Sequence, residues 1–271
     1  MSICNTFIIL FVWIRIAIGL SVFLVVNVVV SLAILLSCII FCFDEKLRKR
    51  TVSITIHWLM KFIFIGLVRW LGGYDLFIKK NDIDFSKPSI FIANHISLFD
   101  PLLLFSIIPN LGVIIKSKYS SVLAIWLLVK VFDFIVVRSD GTDEMQKVID
   151  KTKRAVKLGR NMLIFPEGRR SKPARILELK NSAFKLSKDL NLQIIPIAIY
   201  SPRPFLSKGE FMIKEKTYYH IEFLYPINPQ YYHSARAMND VAYKQILKAV
   251  KLVRDKSQER PQQYYPKKNE N

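Results

Sequence analysis

The order of apolar and polar positions divides the chain into three kinds of material. From Ile16 to Phe43, "IAIGLSVFLVVNVVVSLAILLSCIIFCF" runs 28 residues without a charge. A membrane span needs about 20 apolar residues, so this run is expected to anchor the chain. It can do so as one tilted helix or as two membrane-immersed helices broken near Asn27. A cleavable signal peptide fits poorly, because its apolar region is only about 7–15 residues. Directly after the run, "DEKLRKR" gathers Lys46, Arg48, Lys49 and Arg50. Basic residues collect on the cytoplasmic side, which places the following body in the cytoplasm. The next apolar stretch, "HWLMKFIFIGLVRWLGG", carries Lys61 and Arg69. Two cations favour a helix lying in the membrane interface, with Trp58 and Trp70 at headgroup depth, over a second span. A core helix of the globular part is the other reading.

From Tyr74 the pattern changes to short Ile-, Val- and Phe-rich runs: "SIFIAN", "GVIIK", "DFIVVR", "NMLIFP", "QIIPIAIY" and "YYHIEFLY". These read as strands. Between them, "DEMQKVIDKTKRAVKLGRN" repeats apolar residues at three and four, with Asp143 and Glu144 at its start and Gly159 at its end. A second helix is expected over Asn181–Leu190. Strands apolar on both faces, alternating with helices, predict an α/β fold with a mostly parallel sheet flanked by helices and an N-terminal membrane-anchoring helical segment. The boundaries follow: residues 1–73 as anchor and interfacial helices, 74–255 as the domain, and 256–271 as a polar, proline-interrupted tail that is expected to be disordered.

Charge narrows the class of partner. The chain carries a net +19, which calls for an anionic partner: a phospholipid surface, a phosphorylated substrate or a nucleic acid. Thirteen Lys or Arg against three Asp or Glu lie between Lys147 and Lys188. Aromatic-rich nucleic-acid-binding signatures are missing, so a nucleic-acid partner is not expected. Cys4, Cys38 and Cys42 all fall in the leader, which gives no disulfide framework and fits a reducing compartment. His57, His95, His220 and His233 form no zinc spacing, so no metal is expected.

Two stretches carry candidate chemistry. In "FIANHISLFDPLLL", His95 lies just beyond a strand, and Asp100 precedes Pro101, which suits the first turn of a helix. Asp100 reads as the cap of that helix. Five residues turn a regular helix by about 500°, so His95 and Asp100 meet only through the intervening turn. If they meet, the carboxylate fixes one imidazole tautomer and leaves the other nitrogen to take a proton from an alcohol. A plain helix cap beside a structural histidine is the alternative. In "NMLIFPEGRRS" a buried strand delivers Glu167, Gly168, Arg169 and Arg170 to the sheet edge where α/β ligands bind. Arginine forks match phosphate oxygens, and a neighbouring glutamate can hold one in place. A solvated charged loop is the other reading.

Together these residues resemble the glycerolipid acyltransferase family, the 1-acylglycerol-3-phosphate acyltransferases with the NHx4D motif. Asn94-His95-Ile96-Ser97-Leu98-Phe99-Asp100 matches NHxSxxD, and "FIVVR" places Arg138 at a strand-closing arginine. "FPEGRRS" matches FPEGTRS through Glu167, Gly168 and Arg170, and "IIPIAIY" centres on Pro196. The departure is Arg169, where the family has threonine; it adds a cation that bears on acceptor choice. The resemblance implies transfer of a fatty acyl group from a thioester to the 2-hydroxyl of lysophosphatidic acid. His95 would be the base, oriented by Asp100, while Arg138, Glu167, Gly168 and Arg170 would grip the phosphate. Asn94, Ser97 and Pro196 would support the motifs. The donor would be acyl-CoA or acyl carrier protein, with no other cofactor. Lys116 and Lys118 would face donor or headgroups. Another lysophospholipid or glycerol 3-phosphate is the alternative acceptor. The domain has no GxSxG elbow and no cysteine, which agrees with direct attack without an acyl-enzyme. Membrane phospholipids would be partners, and a bacterial inner membrane the expected location.

Overall fold

The computed structural model describes residues 41–67, 74–116, 135–137, 143–173, 175–205, 207 and 217–259, with scattered positions between 14 and 40. Helix α1, Glu45–Met60, begins on Asp44, whose carboxylate accepts the Leu47 N–H at 2.8 Å. It continues through Lys61–Leu67 as a wider π-helix. Seven strands follow: β1 (Tyr74–Lys79), β2 (Ile90–Ala93), β3 (Leu111–Lys116), β4 (Ile135–Val137), β5 (Asn161–Ile164), β6 (Ile194–Tyr200) and β7 (Thr217–Phe223). Helices α2 (Phe99–Ile107), α3 (Asp143–Lys157), α4 (Ser182–Leu190) and α5 (Ala235–Glu259) complete the domain.

The sheet order is β1-β7-β6-β2-β5-β3-β4. Every pair is parallel except β6–β7. The mostly parallel sheet expected from two-sided apolar strands is therefore present. Strand β2 lies at its centre, and all four of its residues are fully buried. Phe91 and Ala93 pack with α1 and α2 on one face. Ile90 and Ile92 pack with α3, α4 and α5 on the other. Pro196 pairs with Ile92 across β2–β6, one position before the first β6–β7 pair, Ile197 with Phe223. A proline cannot donate to a ladder, so it sits where that ladder ends.

Among the described residues no helix is long and apolar enough to cross a membrane. Of the anchor expected over Ile16–Phe43, nine positions lie outside the described residues. Those positions of it that are described are mostly helical and present apolar side chains outward, as with Val25 and Ile40. Helix α5 runs through Glu259, so the first residues of the expected tail are helical; 260–271 lie outside the described residues.

His220, on β7, has both ring nitrogens buried without a hydrogen-bond partner. Burial holds its pKa below the usual 6.5, and Lys79 and Lys256 add to the effect against Glu222. The unfolded chain therefore takes up a proton first, and stability falls as pH drops below about 6.5. The melting temperature is expected to decline from pH 7 to pH 5, and His220→Leu to flatten part of that decline. His57, also lowered by burial, supplies slope in the same sense. An unchanged pH dependence in the variant would remove His220 from this account.

Candidate active site

The helix after β2 and the helix after β5 leave for opposite faces of the sheet: α2 packs in the first core and α4 in the second. Because β2 and β5 are neighbours, a crevice opens beyond their C-terminal ends, the usual ligand position in open α/β sheets. His95 follows β2 there, and Phe165-Pro166-Glu167-Gly168 follows β5.

His95 and Asp100 meet. Nδ1 of His95 lies 2.9 Å from Oδ2 of Asp100. The same oxygen accepts the N–H groups of Ile96 at 2.7 Å and Ser97 at 2.8 Å. The carboxylate thus closes the turn that carries the histidine. It is not the expected helix cap: α2 begins at Phe99, and Asp100 lies inside its first turn. Ser97 does the capping work instead. Its hydroxyl accepts the Phe99 N–H at 2.8 Å, and its carbonyl accepts that of Asp100 at 3.4 Å. With that work done by Ser97, the Asp100 side chain is free to turn back. Asp100 is fully buried, whereas the His95 side chain is 16% exposed. One end of the pair is therefore fixed and the other faces the crevice.

Glu167 is buried at 4% exposure. Its Oε1 accepts the main-chain N–H of His95 at 2.9 Å, and its Oε2 accepts that of Leu177 at 3.1 Å. Burial pushes its carboxyl above the usual range, and these two donors counter the push. Both oxygens are occupied by backbone, so Glu167 ties the histidine's peptide to the loop before α4. Gly168 takes a positive φ of 67° and closes a turn on the Phe165 carbonyl at 3.0 Å; a side chain there would be strained. The turned chain brings the Ser171 N–H to the His95 carbonyl at 2.7 Å. Arg170 is half-buried and Arg169 exposed on this loop.

The remaining motif residues hold the scaffold. The Asn94 amide bridges β2 to β6, donating to the Ile199 carbonyl and accepting its N–H, each at 2.8 Å. The Ser97 hydroxyl donates to the Phe205 carbonyl. Arg138 and Lys118 lie outside the described residues, as does the side chain of Lys116. Three contributors were not legible in the sequence. Phe165 stacks on the His95 ring with centroids 4.2 Å apart. Ser171 holds the His95 carbonyl. Tyr219, buried on β7, accepts the Phe205 N–H at 2.7 Å and so steadies the strap that anchors Ser97. Burial, with the Asp100 charge, pushes its phenol far above the usual range. A "YYHIEF" strand gives no sign of which tyrosine does this.

The acyltransferase family model matches residues 76–200, a stretch that contains both His95-to-Asp100 and the Glu167 turn. Residues 76–200 form an acyltransferase-family domain. A 1-acyl-sn-glycerol-3-phosphate acyltransferase of Cocos nucifera is 27% identical over 139 residues, 49% of this chain and 44% of that protein. A probable 1-acyl-sn-glycerol-3-phosphate acyltransferase of Mycoplasma pneumoniae is 23% identical over 189 residues, 65% of this chain and 70% of that one. The match thus spans roughly half the length of plant relatives and more of the bacterial one. In fold, the chain is similar to the crystal structure of the 1-acyl-sn-glycerophosphate (LPA) acyltransferase PlsC from Thermotoga maritima. The TM-score is 0.65 at 16% identity, over 89% of this chain and 98% of that chain. Within the matched stretch the His95 peptide is held from both sides, by Glu167 at its N–H and by Ser171 at its carbonyl.

Proposed function

We propose that this acyltransferase moves a fatty acyl group from a thioester to the 2-hydroxyl of lysophosphatidic acid, giving phosphatidic acid. The observation that carries the reading is the His95–Asp100 contact at 2.9 Å with the imidazole facing the crevice. With Nδ1 donating to Asp100, Nε2 accepts the proton of the acceptor hydroxyl. The oxygen attacks the thioester carbonyl, the C–S bond breaks as the ester C–O bond forms, and the imidazolium returns the proton to the departing thiolate. Ser97 is fully buried with its hydroxyl spent on Phe205, which favours direct attack over an acyl-serine. Arg170, with Arg138, is assigned to the acceptor phosphate, and Gly168 to the turn that presents it. Donor thioesters of coenzyme A or of acyl carrier protein both suit the basic surface.

The domain works at a membrane surface, held by the Ile16–Phe43 segment with its body on the cytoplasmic side, in a bacterial inner membrane. Exposed apolar side chains from Ile14 to Phe43 support that placement. So do Trp58 and Phe62, at 61% and 41% exposure on α1 and its extension.

The test offers detergent-solubilised protein lysophosphatidic acid, glycerol 3-phosphate and lysophosphatidylcholine side by side, with each donor. Turnover confined to lysophosphatidic acid is the expected result. Preference for another acceptor would keep the mechanism and replace the substrate, with exposed Arg169 the residue to revert to threonine first. Absence of thioester-dependent turnover on all three would remove the assignment.

A further inference from the structure

On the α1 face of the sheet, three basic side chains are gathered beside exposed apolar ones. Lys61 lies over the Trp58 ring at 4.8 Å, and Lys80, just after β1, lies over the Phe85 ring at 5.1 Å. His57 sets its Nδ1 3.0 Å from the Phe105 carbonyl, near the end of α2 opposite Asp100. The three are close enough to act on one another. The Lys80 ammonium is held below its usual range by loss of solvent and then by Lys61. His57 is lowered by burial and then by both lysines, against the Phe105 carbonyl. Like charges so placed are relieved by a bound anion.

The surroundings say which anion. Leu47, Ile54, Trp58 and Phe62 are all more than a third exposed and recur at spacings of seven, four and four, one side of the helix. The chain just before them exposes Leu35, Leu36, Ile39, Ile40 and Phe43. An exposed tryptophan with a lysine over its ring, at the foot of an apolar run, suits the boundary between headgroups and acyl chains. A free phosphate would use the cations and leave the apolar row idle; a phospholipid uses both.

We propose that Lys61 and Lys80 bind the headgroup phosphate of an anionic membrane phospholipid whose acyl chains lie along the Leu47–Ile54–Trp58–Phe62 face. This site is separate from the catalytic crevice and rests on the membrane-seated reading above. It gives the protein a resident lipid that sets the height and tilt of α1. Through the Phe64–Phe99 and Tyr74–Phe99 ring contacts, it also bears on the helix that carries Asp100.

The experiment uses the full chain in phosphatidylcholine nanodiscs containing a small fraction of photoactivatable lipid, either phosphatidylglycerol or phosphatidylcholine, with adducts mapped by peptide. Adducts on the segment 47–62 are expected to favour phosphatidylglycerol by about 25-fold, about fivefold for each of two well-placed cations. Lys61→Ala with Lys80→Ala should reduce them to the phosphatidylcholine level, while acylation by that variant in detergent stays within about twofold. Equal labelling by both lipids, or labelling indifferent to the double substitution, would overturn the site. Adducts confined to 165–175 would assign the lipid to the catalytic crevice instead. Full displacement by millimolar inorganic phosphate would show a phosphate site with no lipid requirement. Loss of all acylation in the unsubstituted protein would remove the proposed reaction and leave the labelling result standing.

Discussion

His95→Ala is expected to lower kcat by about 10²–10⁴-fold, the usual worth of a positioned general base, with the melting temperature nearly unchanged. The imidazole is the part of the site that faces the crevice. The peptide that carries it is held by contacts alanine keeps, from its N–H to Glu167 and from its carbonyl to Ser171. Asp100→Asn is expected to lose a comparable amount of activity for a different reason. An amide oxygen still accepts the Ile96 and Ser97 N–H groups, so the turn survives. The charge that stabilises the imidazolium does not. Steady-state turnover beside a thermal melt separates the two effects. A His95→Ala protein within about tenfold of the parent would show that the proton leaves by another route.

Glu167→Gln is the second large effect. Both carboxylate oxygens accept a main-chain N–H, so an amide must point its NH2 at one of those donors. A buried group left unpaired costs about 1–3 kcal/mol, which is expected as lost stability in denaturant. The same change loosens the His95 peptide, and a drop in kcat of about 10–100-fold is expected from a base moved by a fraction of an ångström. The KM for the acceptor should hardly move. A phosphate contact would give the opposite signature: a raised KM with stability intact. Equilibrium unfolding together with a KM-against-kcat split decides between these roles.

The sheet was legible because burial on both faces leaves a mark on every residue of a strand. "SIFIAN", "NMLIFP" and "QIIPIAIY" became β2, β5 and β6. Strand β1 was missed as a strand, since its burial fades from Tyr74 to an exposed Lys79 and an edge strand carries half the pattern. The antiparallel β6–β7 join was also hidden, for pairing direction leaves no trace in composition. At the site, the residue types pointed to the histidine and its aspartate, but their division of labour did not. Asp100 looked like a cap because aspartate before proline so often is one; Ser97 took that work through a hydroxyl hydrogen-bonded in the fold. Glu167 looked like a neighbour of arginines because charges adjacent in sequence suggest a shared partner. Its actual partners, the peptides of His95 and Leu177, depend on how β2 and β5 end side by side.

The placement of β1 carries a consequence for how the protein is made. Its one hydrogen-bonded neighbour among the described strands is β7, and the Lys79–Glu222 contact joins residues 143 apart. At about 5–20 residues per second, a ribosome needs roughly 7–30 s to deliver the partner after β1 has emerged. Throughout that interval the exposed edge bearing Phe77 and Ile78 waits without its neighbour while the leader has already left the exit tunnel. The order of synthesis therefore brings the hydrophobic N-terminal segment out first and lets the sheet close on that side last. A nascent chain stalled before Thr217 would be a target for holdase chaperones, and one released after Glu259, with α5 covering the second core, would not.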